Sequence, residues 1–295
     1  MMSESDASKP LAVMLSGAVG AAVGAGVLLL QPGEQGQEFI SAPQFKVWLF
    51  FIIALMAFVA VTVAPVLKSL RRLQEHFASS RREIILSSLA LALLCAIPSL
   101  FPAPFEEKLA YHRIRMGLLL GAGVIVALMA VGGIWLVRAA LRDLASSAEP
   151  GEKHIQTFLR LREQLQFFLS VLGILVGGLT LATGALRNTL VATTPDLKGF
   201  PPELVLVYGA YFTALVALIY APTYIALVAT GRKLVDDLWP MPPPRSDAWD
   251  DWYDRRKDLE ELLHLQQGAV KNFQAGFAIL APLAGSIIAV LLGKN

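Results

Sequence analysis

Long runs of apolar residues without a charged side chain alternate along the chain with shorter polar connections. Each run is close to the roughly 20 residues that a helix needs to cross the hydrocarbon core of a bilayer. Seven such runs are present, at residues 11–30, 47–67, 84–101, 116–137, 166–186, 204–230 and 274–292. The pattern predicts an all-α integral membrane protein, a bundle of about seven transmembrane helices in one domain, 11–295, after a short tail, 1–10.

The first and third runs differ from the others in position and length. The first has the position of a signal peptide, but it exceeds a typical signal core and no A-x-A cleavage site follows it, so we expect a retained span. The third is short, with Ser87 and Ser88 near one end and Pro98 near the other. It also holds the single cysteine, Cys95, which excludes an intramolecular disulfide and leaves a cysteine metal site unsupported.

Lysine and arginine are distributed unevenly between alternate connections. With seven crossings, 18 of the 25 basic residues lie on the side of the N-terminal tail and of the connections 68–83, 138–165 and 231–273. Because basic residues accumulate on the cytoplasmic side, we expect a cytoplasmic N-terminus and a multi-pass protein of the plasma (inner) membrane. The three connections look helical, so the sequence predicts a small cytosolic collar of helices. Trp48 falls at the end of a run, where indole rings favour the lipid interface.

The seven runs carry no Asp, Glu, Lys, Arg or His in their interiors. Ionisable groups inside a membrane usually mark proton relays, ion pathways or substrate sites, so this argues against a proton- or sodium-coupled transporter and an intramembrane protease. Glu261 and His264 have the Glu-x-x-His spacing that a di-iron bundle needs twice, but no second copy exists. Nucleophile-elbow, P-loop, zinc-protease and dinucleotide motifs are absent from the sequence. We therefore expect a non-enzymatic protein without cofactor or metal, and the net charge of +2 suggests no nucleic-acid partner.

Small residues recur four positions apart in three of the runs, and such faces let helix backbones approach closely. The pairs are Gly20 and Gly24, Gly117 and Gly121, and Gly173 and Gly177. We expect these faces to pack against other helices of the same chain, with homodimerisation as the alternative.

The sixth run, 204–230, differs from the others because it holds four of the six tyrosines. Its proline removes one backbone hydrogen bond and predicts a kink. A polar stripe beside a kink can line a pore or a pocket, and the candidate lining residues are Thr213, Tyr220, Pro222, Thr223 and Tyr224. The alternative is that tyrosines anchor the helix at the interface and the remaining hydroxyls make interhelical hydrogen bonds.

The most charged stretch is PPPRSDAWDDWYDRRKDLEELLHL, residues 242–265. Ser246 is a good helix N-cap, and the spacing predicts a helix over 246–270 with an acidic flank and an apolar seam. Seven acidic against three basic residues in 246–265 disfavour a position on an anionic lipid surface. Because tryptophan and arginine dominate interface hot spots, the candidate partner-binding residues are Trp249, Trp252, Arg255, Arg256, Leu259 and Leu263.

Three arrangements are open for this helix: docking on the chain's own basic connection at 68–82, binding to another protein, or full solvation. The sequence favours a non-enzymatic membrane protein that acts as a membrane-anchored interaction or effector module. Its partners would be the lipid bilayer and, through the cytosolic helices, a soluble cytosolic protein or a second copy of the chain. The alternative function is a channel, pore or uncoupled transporter with its path along the sixth run.

Overall fold

All secondary structure in the described part of the chain is α-helical. The computed structural model describes residues 4–30, 33–76, 111–146, 151–194, 201–243, 249–265 and 273–292. Within these ranges the chain forms eight helices and no strand. In chain order they are α1 (Glu4–Leu29), α2 (Glu34–Ser41), α3 (Pro43–His76), α4 (His112–Ala145), α5 (Glu152–Thr193), α6 (Pro202–Leu238), α7 (Trp249–Leu262) and α8 (Phe273–Leu292). The third apolar run, 84–101, lies outside the described residues.

Five of these helices have the length and composition of membrane spans. They are α1 from Pro10 onward, α3, α4, α5 and α6. The second, fourth, fifth and sixth apolar runs lie within them, and so does the first except for its last residue, Leu30, as the sequence predicts. The seventh run lies in α8, of which the stretch Ala278–Ile288 forms a shorter apolar helix. The protein is therefore a membrane-embedded, all-α helical bundle.

Several of these helices are longer than a bilayer is thick. α5 has 42 residues, about 63 Å at 1.5 Å per residue, whereas the hydrocarbon core measures about 30 Å. Residues 152–165 run into the fifth span without a break, and α3 and α6 continue in the same way through 68–76 and 231–238. Parts of the connections that the sequence assigns to the collar are thus helical extensions of the spans.

Two hydrophobic clusters show in which direction each of four long helices, α3 to α6, runs. The first cluster joins the end of α3, the end of α4, the start of α5 and the end of α6, through Leu73, Leu141, Phe158 and Leu234. The second joins the opposite ends of the same helices, through Trp48, Leu119, Leu190 and Val205. α3, α4 and α6 therefore run in one direction and α5 runs in the other. We call the end at which α3, α4 and α6 finish the collar end.

Glycines bring two pairs of helices into close contact. A Cβ on Gly20 of α1 would lie 2.4 Å from the Met56 carbonyl oxygen of α3, and one on Gly173 of α5 would lie 2.6 Å from the Ala278 carbonyl oxygen of α8. Neither position has room for a larger residue, so these two small-residue faces pack within the chain, as predicted. The glycines of the third face, on α4, have no described atom within 4 Å of an added Cβ.

An aromatic cluster holds the end of the bundle opposite the collar. The rings of Phe39, Phe45 and Trp48 meet edge to face, with centroids 5.6 to 6.0 Å apart. Each of the three side chains is only 1% exposed. The expectation that Trp48 faces the lipid interface is therefore wrong, because its indole is enclosed by the two phenylalanines and α2, a helix that was not predicted.

Arg115 of α4 anchors the C-terminal end of α1. The residue is only 7% exposed. Its guanidinium donates hydrogen bonds to the Val27 and Leu28 carbonyl oxygens, both at 3.0 Å, and to the Leu30 carbonyl oxygen. The last carbonyls of a helix lack intrahelical partners and carry the negative end of its dipole, so a buried cation satisfies both needs. This contact ties the first predicted span to the fourth.

Candidate functional site at the collar end

The charged stretch folds into a short helix, α7, that ends in a tight turn. The chain leaves the helix after Leu262, because His264 adopts the left-handed conformation with φ of 53°. The Leu265 N–H donates to the Glu260 carbonyl oxygen at 2.8 Å, which is the long hydrogen bond of a Schellman turn. The prediction of one continuous helix over 246–270 is therefore wrong, because the helix ends at Leu262 and Leu265 packs against Gly231 of α6. Residues 246–248, with the predicted N-cap, and 266–270 lie outside the described residues.

The apolar seam of α7 is buried against the same chain. Leu263 is fully buried and Leu259 is 8% exposed, and both belong to the cluster that includes Phe158 of α5. Gly231 of α6 leaves space for the turn after α7, since a Cβ there would lie 2.6 Å from Leu265 Cδ2 and 2.8 Å from Phe158 Cζ. The helices α5 and α6 thus form the surface on which α7 docks.

Polar contacts fix the position of α7 along the end of α6. Arg256 pairs with Asp236 of α6 at 2.7 Å and with Glu260 at 3.1 Å. The Trp252 indole N–H donates to the Trp239 carbonyl oxygen at 3.2 Å. Because the Asp236 side chain is 61% exposed, its ion pair contributes only about 0–1 kcal/mol. The buried leucines therefore supply most of the docking energy, and the ion pair sets the register.

Arg162 of α5 reaches the C-terminal end of α7. Its partly buried guanidinium donates a hydrogen bond to the Leu263 carbonyl oxygen. That carbonyl lies beyond the last turn of α7, where no intrahelical donor is available. In the sequence Arg162 is only one of several basic residues before the fifth run, so its role was not predicted.

The opposite face of α7 points away from the bundle. At its two edges Tyr253 is 62% exposed and Leu262 is 53% exposed. Arg255 pairs with Asp251 at 3.0 Å and lies 5.4 Å above the Trp239 ring. Most of the other exposed side chains on this face are acidic, namely Asp250, Asp254, Asp258 and Glu261. The outward face is therefore a mainly acidic surface with one exposed aromatic ring.

The candidate pore-lining tyrosines of α6 lie close together inside the bundle. Tyr220 is 8% exposed, and its ring stacks on that of Tyr224 with the centroids 5.5 Å apart and an interplanar angle of 24°. Pro222 lies between them in the sequence and inside the helix. The stack therefore belongs to the segment of α6 in which one backbone hydrogen bond is missing.

The candidate threonines of α6 bond to two other helices. Thr223 is fully buried, and its hydroxyl donates to the Ile134 carbonyl oxygen of α4 at 3.5 Å. The Thr213 hydroxyl oxygen accepts the backbone N–H of Leu283 in α8 at 3.2 Å, directly after Pro282. A proline frees backbone groups in a membrane helix, and a neighbouring hydroxyl can satisfy them. These contacts are interhelical hydrogen bonds, the expected alternative to a pore.

The six candidate partner-binding residues do not share one environment. The side chains that face the bundle are Arg256, Leu259 and Leu263. The Trp252 indole N–H bonds to the Trp239 carbonyl oxygen. Trp249, which is partly exposed, packs edge to face on Trp252 and lies with Arg255 beside the outward face. Residues 77–83 lie outside the described part of the chain, so docking on the basic connection stays a prediction.

Asp236 and Trp239 take part in the docking of α7 but were not predicted. The available signal was the apolar pattern after the sixth run, where Leu234, Val235 and Leu238 continue the helical spacing. This spacing predicts that the helix of the sixth run continues to Leu238, which is its observed end. The extension would then have brought both residues to the collar end.

Among the described residues, no group of three or more His, Cys, Asp or Glu side chains is placed to hold a metal ion. No protein-family model matches the chain. No curated protein and no solved structure matches it either.

Proposed function

We propose that this chain is a non-enzymatic, membrane-anchored interaction module that presents α7 to a soluble protein or to a second copy of itself. The supporting observation is the fixed position of α7, whose seam is buried on α5 and α6 while Tyr253 and the acidic side chains point outward. A helix already held in its binding orientation loses less conformational entropy on association than a mobile one. The docked α7 is in this sense a preorganised surface.

On this proposal the candidate residues have two different roles. Leu259 and Leu263 act indirectly, because they hold α7 in place. Tyr253, Asp254 and Asp258 make the contact with the partner. That partner carries a basic surface, since complementary charge accelerates and orients association. Tyrosine is also enriched at interface hot spots, which makes Tyr253 the main anchor.

Native mass spectrometry and co-purification in nanodiscs test the proposal. The outward-face variant combines Tyr253→Ala, Asp254→Lys and Asp258→Lys, and the control is Asp143→Lys, at an exposed acidic position near the end of α4. We expect the outward-face variant to lose a partner or a dimer that the control retains. If both proteins keep the partners and oligomeric state of the wild type, the proposal has no basis.

The proposed arrangement in the membrane has seven crossings, a cytoplasmic N-terminus and a location in the plasma membrane. α3 and α4 run in the same direction, so the chain between residues 76 and 111 joins opposite ends of the bundle. A third crossing by the run 84–101 would make that connection. The excess of basic residues at the collar end supports its cytoplasmic position. An N-terminal tag that external protease digests in intact cells would contradict this orientation.

A second candidate function is a channel or uncoupled transporter with its path along α6. It is favoured by the stacked Tyr220 and Tyr224 beside Pro222, because a kinked membrane helix can expose backbone carbonyls to water or ions. Flux assays in liposomes separate the two candidates. A flux that changes in Tyr220→Phe or Tyr224→Phe supports the channel, and an impermeable wild-type protein rejects it.

A further inference from the structure

The paired glycines of α4 differ from the other two pairs in their surroundings. The pair on α1 lies against α3, and the pair on α5 lies against α8. An added Cβ on Gly117 or Gly121 of α4, in contrast, would meet no described atom within 4 Å. Small residues four positions apart let membrane helices approach closely. The α4 pair therefore has the composition of a helix contact but no neighbour among the described helices.

Large apolar side chains surround these glycines on the same side of α4. At about 100° per residue, three exposed side chains share the face of the glycine pair. We call this surface the glycine face, and its residues are Ile114, Gly117, Leu118, Gly121 and Ile125. Its three large side chains are 61–62% exposed, whereas Leu119 on the opposite side of the helix is 6% exposed. The first half of α4 is thus packed on one side and open on the other.

The chain between α3 and α4 supplies a segment that can cover this face. α3 ends at the collar end and α4 begins at the opposite end, so residues 77–111 connect opposite ends of the bundle. Their uncharged run, 84–101, has 18 residues and would measure about 27 Å as a helix, close to the hydrocarbon thickness of about 30 Å. Ten residues, 102–111, remain before α4 begins. The end of the run is therefore tied to the part of α4 that carries the glycine face.

We propose that the third run, 84–101, packs as an antiparallel helix on the glycine face of α4, a placement that rests on the third crossing proposed above. The run has a stripe of small residues, spaced by four, three and four positions. The stripe consists of Ser88, Ala92, Cys95 and Ser99. On a helix these four positions lie within about 60° of one another. Two small faces meet in this arrangement, so the backbones of the two helices come close together.

The ends of the two apolar runs set the register of this contact. The third run ends, and the fourth begins, at the end of the bundle opposite the collar. Cys95 lies six residues from the end of its run and Gly121 lies five residues from the start of its own, which gives depths of about 9 and 8 Å. Ala92 and Ile125 each lie nine residues from that level, at about 14 Å. The placement therefore puts Cys95 next to Gly121 and Ala92 next to Ile125.

Disulfide crosslinking from the single native cysteine tests this placement. Gly121→Cys protein in nanodiscs is oxidised with copper phenanthroline, and mass spectrometry without reductant locates the disulfide. A disulfide needs Cα atoms about 4.4–6.8 Å apart, so we expect Cys95 to form one within the chain. Ala210→Cys is the matched control, because Ala210 is an exposed small residue of α6 that lies six residues into the run 204–230. It has the depth of Cys95, and we expect no disulfide there.

A second cysteine pair keeps the test valid if Gly121→Cys does not fold. It combines Ala92→Cys and Ile125→Cys with Cys95→Ser, and we expect a disulfide within the chain here too. Absence of a disulfide in both designs, or equally fast formation with Ala210→Cys, would overturn the placement. Disulfide-linked dimers of Gly121→Cys that persist with Cys95→Ser would assign the glycine face to a second copy of the chain and would also overturn it.

Labelling at residue 107 separates the placement from the crossing on which it rests. Glu107→Cys with Cys95→Ser should react with a membrane-impermeant maleimide outside intact cells, because the crossing puts this residue opposite the collar. Reaction only after permeabilisation would remove the crossing and the placement together. External labelling without either disulfide would remove the placement alone. None of these variants changes α7, so both results leave the interaction proposal standing.

Discussion

Replacing Leu263 by alanine is the most direct perturbation of α7 docking. The Leu263 side chain is fully buried in the cluster that joins α5, α6 and α7. Its neighbour Leu262 is 53% exposed on the outward face. The two residues are adjacent, of the same type and near the same helix end. Leu262→Ala is therefore a matched control for helix propensity and chain entropy.

The expected magnitude follows from the difference in burial. Leucine to alanine in a packed core costs about 2–5 kcal/mol, and a site at the edge of a bundle can partly collapse around the gap. We therefore expect about 3 kcal/mol for Leu263→Ala, which is roughly a 100-fold change in the docking equilibrium. Substitution of an exposed residue usually changes stability by less than about 0.5 kcal/mol, so Leu262→Ala should change it only about twofold.

Hydrogen exchange of residues 249–265 in nanodiscs provides the measurement, because exchange of these amides reports the local opening of α7. Leu263→Ala should accelerate exchange in this peptide by roughly 100-fold and leave α5 amides near Gly173 protected. Equal exchange in the two alanine variants would show that burial of the seam on α5 and α6 contributes nothing to the docking of α7. Simultaneous loss of protection in α5 would show that α7 is not a separate unit.

Three further predictions concern single contacts. Arg115→Gln should lower the free energy of unfolding by about 3 kcal/mol, because it breaks the charged hydrogen bonds of a buried guanidinium to three carbonyls. Unfolding by titration with a denaturing detergent measures the change, and an unchanged midpoint would show that Arg115 does not anchor α1. Gly20→Ala should destabilise the protein by about 1–3 kcal/mol through the clash with α3, whereas Gly26→Ala, with only an ordinary 3.8 Å contact, should not; thermal unfolding of both variants decides. His264→Gly should slow hydrogen exchange at the end of α7. Glycine removes the strain of a side chain at positive φ, about 1–2 kcal/mol, and this gain exceeds the entropy that glycine adds to the unfolded chain, about 0.5–1 kcal/mol. His264→Ala, which keeps the strained Cβ, should not slow it.

The membrane-length helices were predictable because bilayer thickness imposes one length on every span. An uncharged run of about 20 residues needs no knowledge of its neighbours to be identified. The bounds were less predictable, as α6 shows by continuing from the apolar run through Gly231 to Leu238. Once a helix leaves the lipid, apolar content no longer marks its end, and only the spacing of Leu234 and Leu238 remained as a signal.

The docking of α7 was not predictable because its contacts join residues far apart in the chain. The missing side chain of Gly231 leaves space for Leu265 and Phe158. Arg162 donates a hydrogen bond to a backbone carbonyl, and such a contact leaves no pattern of side chains in the sequence. The seam itself was visible in the sequence. What covers it depends on the relative positions of α5 and α6, and these are set by packing of the whole bundle.

Among the described helices, α7 is held by fewer buried contacts than the spans, so we expect it to open before them. α5 and α8 approach to backbone contact at Gly173, where the Ala278 carbonyl lies within 2.6 Å of an added Cβ. α7 is held by two buried leucines, Leu265 at Gly231, one ion pair to the exposed Asp236, two hydrogen bonds to backbone carbonyls and the Arg255 guanidinium above the Trp239 ring. Elements with few buried apolar contacts open at a lower free energy than the core. We therefore expect α7 to open locally at a lower free energy than the one that separates α5 from α8, while the spans stay folded.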